Sequence, residues 1–479
     1  MVGIELILIF PLLGAFLIWK IGIRKIVNLI ALMSSSLSFI MALIYYLNFD
    51  RTKKGFQFLT SYEWISAWQL NFTLGFDHIN SPFVLLTTFI TLAIILLATK
   101  TIKDKISSFM SLLLLLSVSV NAFFMSTNFL QFFFFYEAML IPAVLLIQRW
   151  GGENSFQASI KFLIYTFGFS IFLFLAIIAT YYYGGSFSFT SLENLKISET
   201  AKLLLLFGFI LAFFVKIPIV PLHGWLKDAY YEAAMPVTIF LSAVLGKMGI
   251  YGILRVIPYF NDILSVVNQW IILTCLISFV YSAFLALNSK NIKVLFAYMS
   301  LSHVGIITAG AFTGNLQGYQ GVLLQSINHG ILAAALFYVA ELLNRETKSF
   351  DLEKFGALSK RVPALTFFTF SLIMAMGGFP GLNYFNGELL LLSGIFRENL
   401  FLGFIGVFGV ALGVVYLSWF FYRVYLRKPG AELSTYVRDV ISWELFFLAI
   451  LLLISIYLGL NPDYVLSGVN EIVSFGGKG

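Results

Sequence analysis

LLLLFGFILAFFVKIPIVPLHGWL, residues 203–226, reads as a membrane helix broken from within. It is apolar or small from Leu203 to Val215. Lys216 then places a charge where insertion into a bilayer costs about 2.5–3.5 kcal/mol. Pro218 and Pro221 follow, and each proline removes a backbone donor and clashes with the preceding turn. Unpaired backbone in lipid is costly, so such a break belongs inside protein or beside water. A charge and a break at one point of one span mark a purposeful site in a membrane protein.

The rest of the chain agrees on the solvent. Of 479 residues, 60% are hydrophobic and 11% charged, whereas soluble domains run near one half and one quarter. A span needs about 20 apolar residues. About 14 such runs are present: 3–20, 25–48, 78–99, 107–125, 128–148, 157–183, 201–226, 235–257, 264–287, 292–313, 318–343, 363–396, 400–426 and 441–460. The expected fold class is an all-α polytopic membrane protein with mostly short connections. The longest are Asn48–Asp77 and Asn344–Val362. Met1 to Trp19 has no basic start and reads as the first span, not a cleaved leader. The single cysteine, Cys275, excludes an intrachain disulfide and reads as a small buried hydrophobe.

An even number of spans puts both termini on one side. Of the thirty Lys and Arg, eight then fall with the termini, Lys478 and Arg255 among them, and twenty on the other side. Lys216 and Lys247 lie within spans. The positive-inside rule places both termini outside and the twenty in the cytoplasm, in loops of a cell-membrane protein. The net charge of +7 is therefore topological and does not point to nucleic acid.

A second break occurs at Gly377–Asn383, with Pro380 and Gly381, five spans after the first. Spans 4–8 and 9–13 form two five-helix units, each with its broken helix in fourth place. An odd number of helices per unit inverts the second, as in inverted-repeat transporters. Prolines also merely kink packed helices; the matched spacing weighs against that. The implied pieces are 1–106 (spans 1–3), 107–260 (first repeat), 261–428 (second repeat) and 429–479 (span 14 and tail).

Four ionisable residues sit in apolar runs: Glu137 in QFFFFYEAMLIPAVLL, Lys216, Lys247 in TIFLSAVLGKMGIYGIL, and Glu388 in LNYFNGELLLLSG. Unpaired, they would cost roughly 10–14 kcal/mol together, as much as a protein's net stability. They must pair, titrate or touch water. A Lys–Glu pair that forms and separates is a proton switch, because desolvation and a neighbouring charge act oppositely on the ionised form. His223, His303 and His329 add imidazoles able to relay protons. A lone histidine in a span is commonly a packing residue, but the whole set is harder to read so. His78 takes no role. Glu341, at a span end, reads as solvated, and Lys227–Asp228 as a surface pair. Phe132–Phe135 and Gly409/Gly413 read as packing. Trp64, Trp68, Trp150, Trp225 and Trp419 read as interfacial anchors. No GxGxxG, GxxxxGK[ST], HExxH or cysteine cluster is present. No metal or cofactor is expected on this chain, so its energy comes from an ion gradient or from partner subunits.

Seven stretches, FFFFYEAMLIPAVLLIQRWGG (132–152), VKIPIVPLHGWLKDAYYEA (215–233), LGKMGIYGILR (245–255), LGFDHINSPFVLLTTF (74–89), FAYMSLSHVGII (296–307), INHGILAAALFYVAE (327–341) and GGFPGLNYFNGELLLL (377–392), carry a family likeness. Together they resemble the antiporter-like subunits of respiratory complex I, the NADH-quinone oxidoreductase, over about residues 60–428. A glutamate at position 388 resembles the M (chain 4) type, where the L and N types carry lysine. The short stretch after the last span also fits M. The chain departs from the family in Trp225-Leu-Lys227-Asp228-Ala-Tyr230, usually WLPDAH, and in Ala233-Ala234-Met235-Pro236. The resemblance implies a switching pair of Glu137 and Lys216, a central relay at Lys247, bridging by His303 and His329, and a link from Glu388 to the opposite surface. His223 joins the proton pathway. It also implies L-, N- and K-type neighbours, with quinone and iron–sulfur clusters on partner subunits and flavin as a further candidate there. The alternatives are a subunit of a multisubunit Na+/H+ antiporter or of a membrane-bound hydrogenase. A third is a passive scaffold whose charges only lock helices together.

Overall fold

The computed structural model describes residues 3–68, 70–428 and 438–466. Met1, Lys478 and the tail from 467 lie outside them. Among the described residues ten helices are long and apolar enough to cross a membrane, and Leu6–Trp19 and Pro363–Met376 are shorter apolar ones. The run Met235–Leu287 alone holds two of the expected spans.

The helical fold carries one short β ribbon that the sequence reading did not include. Within the 48–77 connection, strand β1 (Gln57–Ile65) pairs antiparallel with β2 (Leu70–Phe76), Tyr62 opposite Phe72. The segment is rich in Phe, Tyr, Trp and Thr, which favour a pleated surface. Trp64 packs edge-on against Phe72 with ring centres 6.2 Å apart, the kind of pair that stabilises a two-stranded ribbon.

The chain forms two compact units. The first comprises residues 3–217 and 232–265; the second comprises Pro218–Tyr231 and Val266–Leu466. The last change of unit falls between Ser265 and Val266, and the first three helices lie in the first unit. Residues 218–231, beyond the first break, leave the first unit and join the second.

In the first unit α1 (Leu6–Trp19), α2 (Arg24–Leu47), α3 (Asn80–Thr101) and α4 (Ile106–Met125) are followed by α5 (Phe129–Ala138) and α6 (Leu140–Trp150). α5 and α6 part at Met139. Pro142 has no N–H to give to the carbonyl of Ala138, so the helix cannot continue unbroken there. α7 (Ser155–Gly184) leads to α8 (Glu199–Lys216), which ends at Lys216. Two aromatic hydroxyls tie this unit together: Tyr136 donates to the Ala212 carbonyl at 2.9 Å and Tyr251 to that of Phe124 at 3.0 Å.

α9 (Leu226–Glu232) resumes the broken helix. α10 (Met235–Phe240) runs through a π turn, Leu241–Leu245, into α11 (Gly246–Val256). The chain crosses to the second unit within α12 (Asn261–Leu287). There α13 (Ile292–Ala311) and α14 (Leu316–Thr347) lie at the core, and residues 321–340 of α14 are all buried. The second broken helix is α15 (Pro363–Met376) and α16 (Asn383–Glu398); α17 (Leu400–Phe421), α18 (Ser442–Leu460) and α19 (Asp463–Leu466) complete the unit. Trp225 is 1% exposed, so it is no interfacial anchor. It packs on Tyr230 inside the second unit, because the break turns its ring into protein. Cys275 is buried, and Gly409 faces the ring of Phe279, as a packing glycine does.

Candidate proton-handling sites

In the first unit Lys216 occupies the last position of α8 and is 1% exposed. A helix C-terminus carries partial negative charge that favours a cation there. Its Nζ lies 4.2 Å from the centre of the Tyr136 ring and 3.8 Å from Met139 Sδ. Those two residues flank Glu137, whose carboxylate is within electrostatic reach of Lys216. Both carboxylate oxygens are buried, with no hydrogen bond of good geometry among the described residues. The nearby Ser170 hydroxyl is spent on the Phe167 carbonyl at 2.7 Å. Glu137 is one of the residues lining an apolar groove of about 810 Å³, with Trp64, Phe134, Ile141 and Phe167. A buried carboxylate and a buried ammonium are thus neighbours without being locked in a close ion pair.

Lys247 is fully buried on α11. Its Nζ donates to the Ser242 carbonyl, five residues back, at 2.7 Å. The π turn at Leu241–Leu245 explains this acceptor: widening the turn disturbs the regular ladder and exposes carbonyl lone pairs at one point. Glycines let α11 approach α8. A Cβ at Gly249 would lie 2.8 Å from the Phe213 carbonyl oxygen, so any side chain there would force the helices apart.

One buried charge pair in this unit was not legible in the sequence. Arg255, grouped above with the basic residues of the outer side, is 8% exposed and paired with Asp77. Arg255 Nε also donates to the Tyr251 hydroxyl at 2.9 Å. Asp77 in turn accepts from the backbone N–H groups of Ile79 and Asn80, at 3.0 and 2.8 Å, at the start of α3.

The second unit brings His303, His329 and Glu388 into one polar neighbourhood. The rings of His303 and His329 are 6.0 Å apart. His303 Nε2 is 2.8 Å from the Tyr416 hydroxyl, and its ring meets that of Tyr384 edge-on at 5.1 Å. His329 Nε2 lies 3.3 Å from Ser300 Oγ. Glu388, 8% exposed on α16, acts electrostatically on both Tyr384 and Tyr416. Pro380 and Gly381 lie in the gap between α15 and α16. His223, Pro218 and Pro221 lie in the gap between α8 and α9, and the His223 ring is 5.9 Å from that of Tyr281.

Sequence reasoning passed over the amides here. Asn328 Nδ2 donates to the Asn383 carbonyl at 2.7 Å, and Ser455 donates to Asn383 Oδ1 at 2.7 Å. Several buried polar atoms make no hydrogen bond of good geometry among the described residues: Gln325 Nε2, Asn328 Oδ1, Asn383 Nδ2 and the Tyr384 hydroxyl. Orphaned polar groups gathered in one place are what a water-filled passage needs.

Gly378 supports Glu388 directly. Its φ is +73°, and a Cβ there would collide with the Glu388 carboxylate. Gly378→Ala should therefore cost about 1–3 kcal/mol in backbone strain and also displace that carboxylate. A thermal-unfolding midpoint in detergent should fall, and proton translocation with it.

The model for the family described as NADH:quinone oxidoreductase/Mrp antiporter, TM matches residues 126–413. NADH-quinone oxidoreductase subunit M of Rickettsia felis is 33% identical over 441 residues, covering 91% of this chain and 90% of that protein. Among solved structures, a chain of respiratory complex I from Thermus thermophilus with bound NADH superposes with a TM-score of 0.89 at 25% identity, covering 99% of this chain and 100% of that one. A chain of the Mrp complex from Dietzia sp. DQ12-45-1b shares the fold at a TM-score of 0.87 and 18% identity, covering 99% of this chain and 52% of that one. The two broken helices, the buried lysines and the antiporter-like fold are thus found together with a family match over most of the sequence, and the chain belongs to the NADH:quinone oxidoreductase/Mrp antiporter transmembrane family.

Proposed function

We propose that this chain is a proton-translocating membrane subunit of a complex I-like quinone oxidoreductase, set in the cell membrane with its basic loops on the cytoplasmic side. The observation that carries this reading is the Glu137–Lys216 arrangement at the end of α8. The Tyr136 ring and the helix terminus hold the ammonium in place whatever Glu137 does. The carboxylate is the variable part. Its approach favours the ammonium; its withdrawal favours the neutral amine and frees a proton. Lys247 is the central relay of the first unit. His303 and His329 carry the proton within the second, and Glu388 delivers it to the far surface. The proline and glycine breaks, at Pro218, Pro221, Pro380 and Gly381, let water and freed backbone groups reach these residues. His223 belongs to the same pathway on the segment beyond the first break. Electron transfer is the work of redox groups on partner subunits, and L-, N- and K-type neighbours complete the membrane arm. Residues 107–260 and 261–428 are the two inverted repeats, 1–106 supports the first, and 429–479 closes the chain.

A sodium/proton antiporter subunit is the second reading. Sequence similarity favours the first: the subunit M of Rickettsia felis is 33% identical over 441 residues. Gentle purification through an affinity tag tests this. Peripheral subunits with iron–sulfur absorbance and quinone reductase activity should accompany the chain. Recovery of membrane subunits alone, from cells that contain such peripheral subunits, favours the antiporter.

A further inference from the structure

Beside the relay through Lys247, the polar neighbourhood around His329 has a second approach, from one side of the membrane along α14. Residues 321–340 are buried without interruption, and Glu341 is the first to regain accessible surface. Its carboxylate feels Lys293 on the facing helix and Arg345 and Lys348 on its own. Tyr338, one turn back, has a buried hydroxyl with no hydrogen-bond partner among the described residues, and it feels Glu341, Arg345 and the Glu444 of α18. Arg345 is already engaged by Glu444. Lys293, 4% exposed in the first turn of α13, donates to the Tyr231 carbonyl at 2.8 Å.

The two helices run antiparallel past each other. Ser300 lies seven residues beyond Lys293 on α13, two turns or about 10 Å along the same face. Ser300 is the residue that meets His329. Lys293 and Glu341 thus mark one level, and Ser300 and His329 the next level inward. Between them Phe296 of α13 and Phe337 of α14 meet edge to face at 5.7 Å.

Resting on the proton-translocating reading above, we propose that Glu341 and Lys293 form the proton-uptake mouth of the second unit, separated from Ser300 and His329 by a dry barrier of Phe296 and Phe337. Glu341 collects a proton from bulk water and hands it to water beside Lys293, whose ammonium stays protonated on the Tyr231 carbonyl. Rotation of either ring wets the gap, and the proton reaches His329 through the Ser300 hydroxyl. No net chemistry occurs; each group returns to its starting charge. Glu341 is a positioning and collecting residue, not one that stores the translocated proton.

The bland alternative is that Glu341 merely balances three cations. The two differ in pH dependence. A collecting carboxylate matters most when protons are scarce, so in Glu341→Gln the rate should follow the bulk proton concentration. In membrane vesicles carrying the whole complex, redox-driven proton translocation by Glu341→Gln should fall roughly tenfold at the alkaline end of the profile and approach the native rate at the acidic end. Glu341→Asp should restore the native profile. A Glu341→Gln profile scaled uniformly, or unchanged, overturns the mouth. If that variant does not assemble, Glu341→Ser, which likewise lacks a carboxylate, is read the same way, with the same two outcomes. Lys216→Ala in parallel separates the two claims. If it fails to translocate while Glu341→Gln keeps the native profile, only the mouth falls. If it translocates normally, the underlying reading falls.

Discussion

Lys216→Ala should assemble with its partners, reduce quinone, and move protons about a hundredfold more slowly or not at all, the scale on which loss of a proton-transfer group acts. The structure gives a reason to expect assembly. Lys216 is buried and takes no close ion pair, its nearest neighbours being the Tyr136 ring and Met139 Sδ. Removing it deletes a costly buried cation, and Glu137, left without that counter-charge, can stay neutral as the protonated acid instead of as a stranded anion. The helix still ends at the same place, because Pro218 and Pro221 remain. Lys216→Arg keeps a permanent charge that cannot be released, so it should assemble yet translocate no better than the alanine variant. The measurement is the ratio of protons moved to quinone reduced in sealed vesicles. A native ratio in assembled Lys216→Ala complex would falsify the switching pair and leave the scaffold reading in its place.

The largest structural effect is expected at Asp77. Asp77→Asn keeps a side chain able to accept from the N–H groups of Ile79 and Asn80, so the start of α3 is preserved. It removes the negative charge that faces Arg255 inside the protein. Orphaning one member of a buried pair costs 3–5 kcal/mol in general. The rings of Phe56 and Tyr251 stand 5.0 and 4.9 Å from the guanidinium carbon and offset part of the loss. The expected cost is about 3 kcal/mol, the low end of that range, visible as a lower unfolding midpoint and less assembled protein. Asp77→Asn with Arg255→Met removes both charges and should recover most of the stability. A double variant no better than Asp77→Asn alone would show that the pair is not coupled.

What could be seen in the sequence depended on the size of the physical penalty. Lys216, Lys247, Glu137 and Glu388 stood out because charge in an apolar run is expensive wherever it lies. The ends of α8 and α15 were visible because proline and glycine act locally. Asp77 and Arg255 were hidden because each sits at the end of a span, where charge is cheap and is read as topology. Only the fold shows that they meet. Asn328, Asn383 and Gln325 were hidden for another reason. An amide in a membrane helix can satisfy itself on nearby backbone, so its presence in a sequence costs nothing that can be noticed. The β1–β2 ribbon lay in a connection too polar and too long for a span, where alternation over a few residues was overshadowed by the helical pattern on either side. Trp225 was misplaced because its distance from a span end was judged as if the helix were straight.

The passage of Pro218–Tyr231 into the second unit has a consequence for how the protein is made. Synthesis proceeds from the N-terminus, so the ribosome delivers this segment well before the helices that will enclose it. Until those arrive, its freed carbonyls and His223 must be shielded by lipid headgroups, water or a chaperone. A gene cut after residue 260 would therefore yield two fragments unable to mature separately: one with a strand of backbone and no berth for it, the other with a berth left vacant.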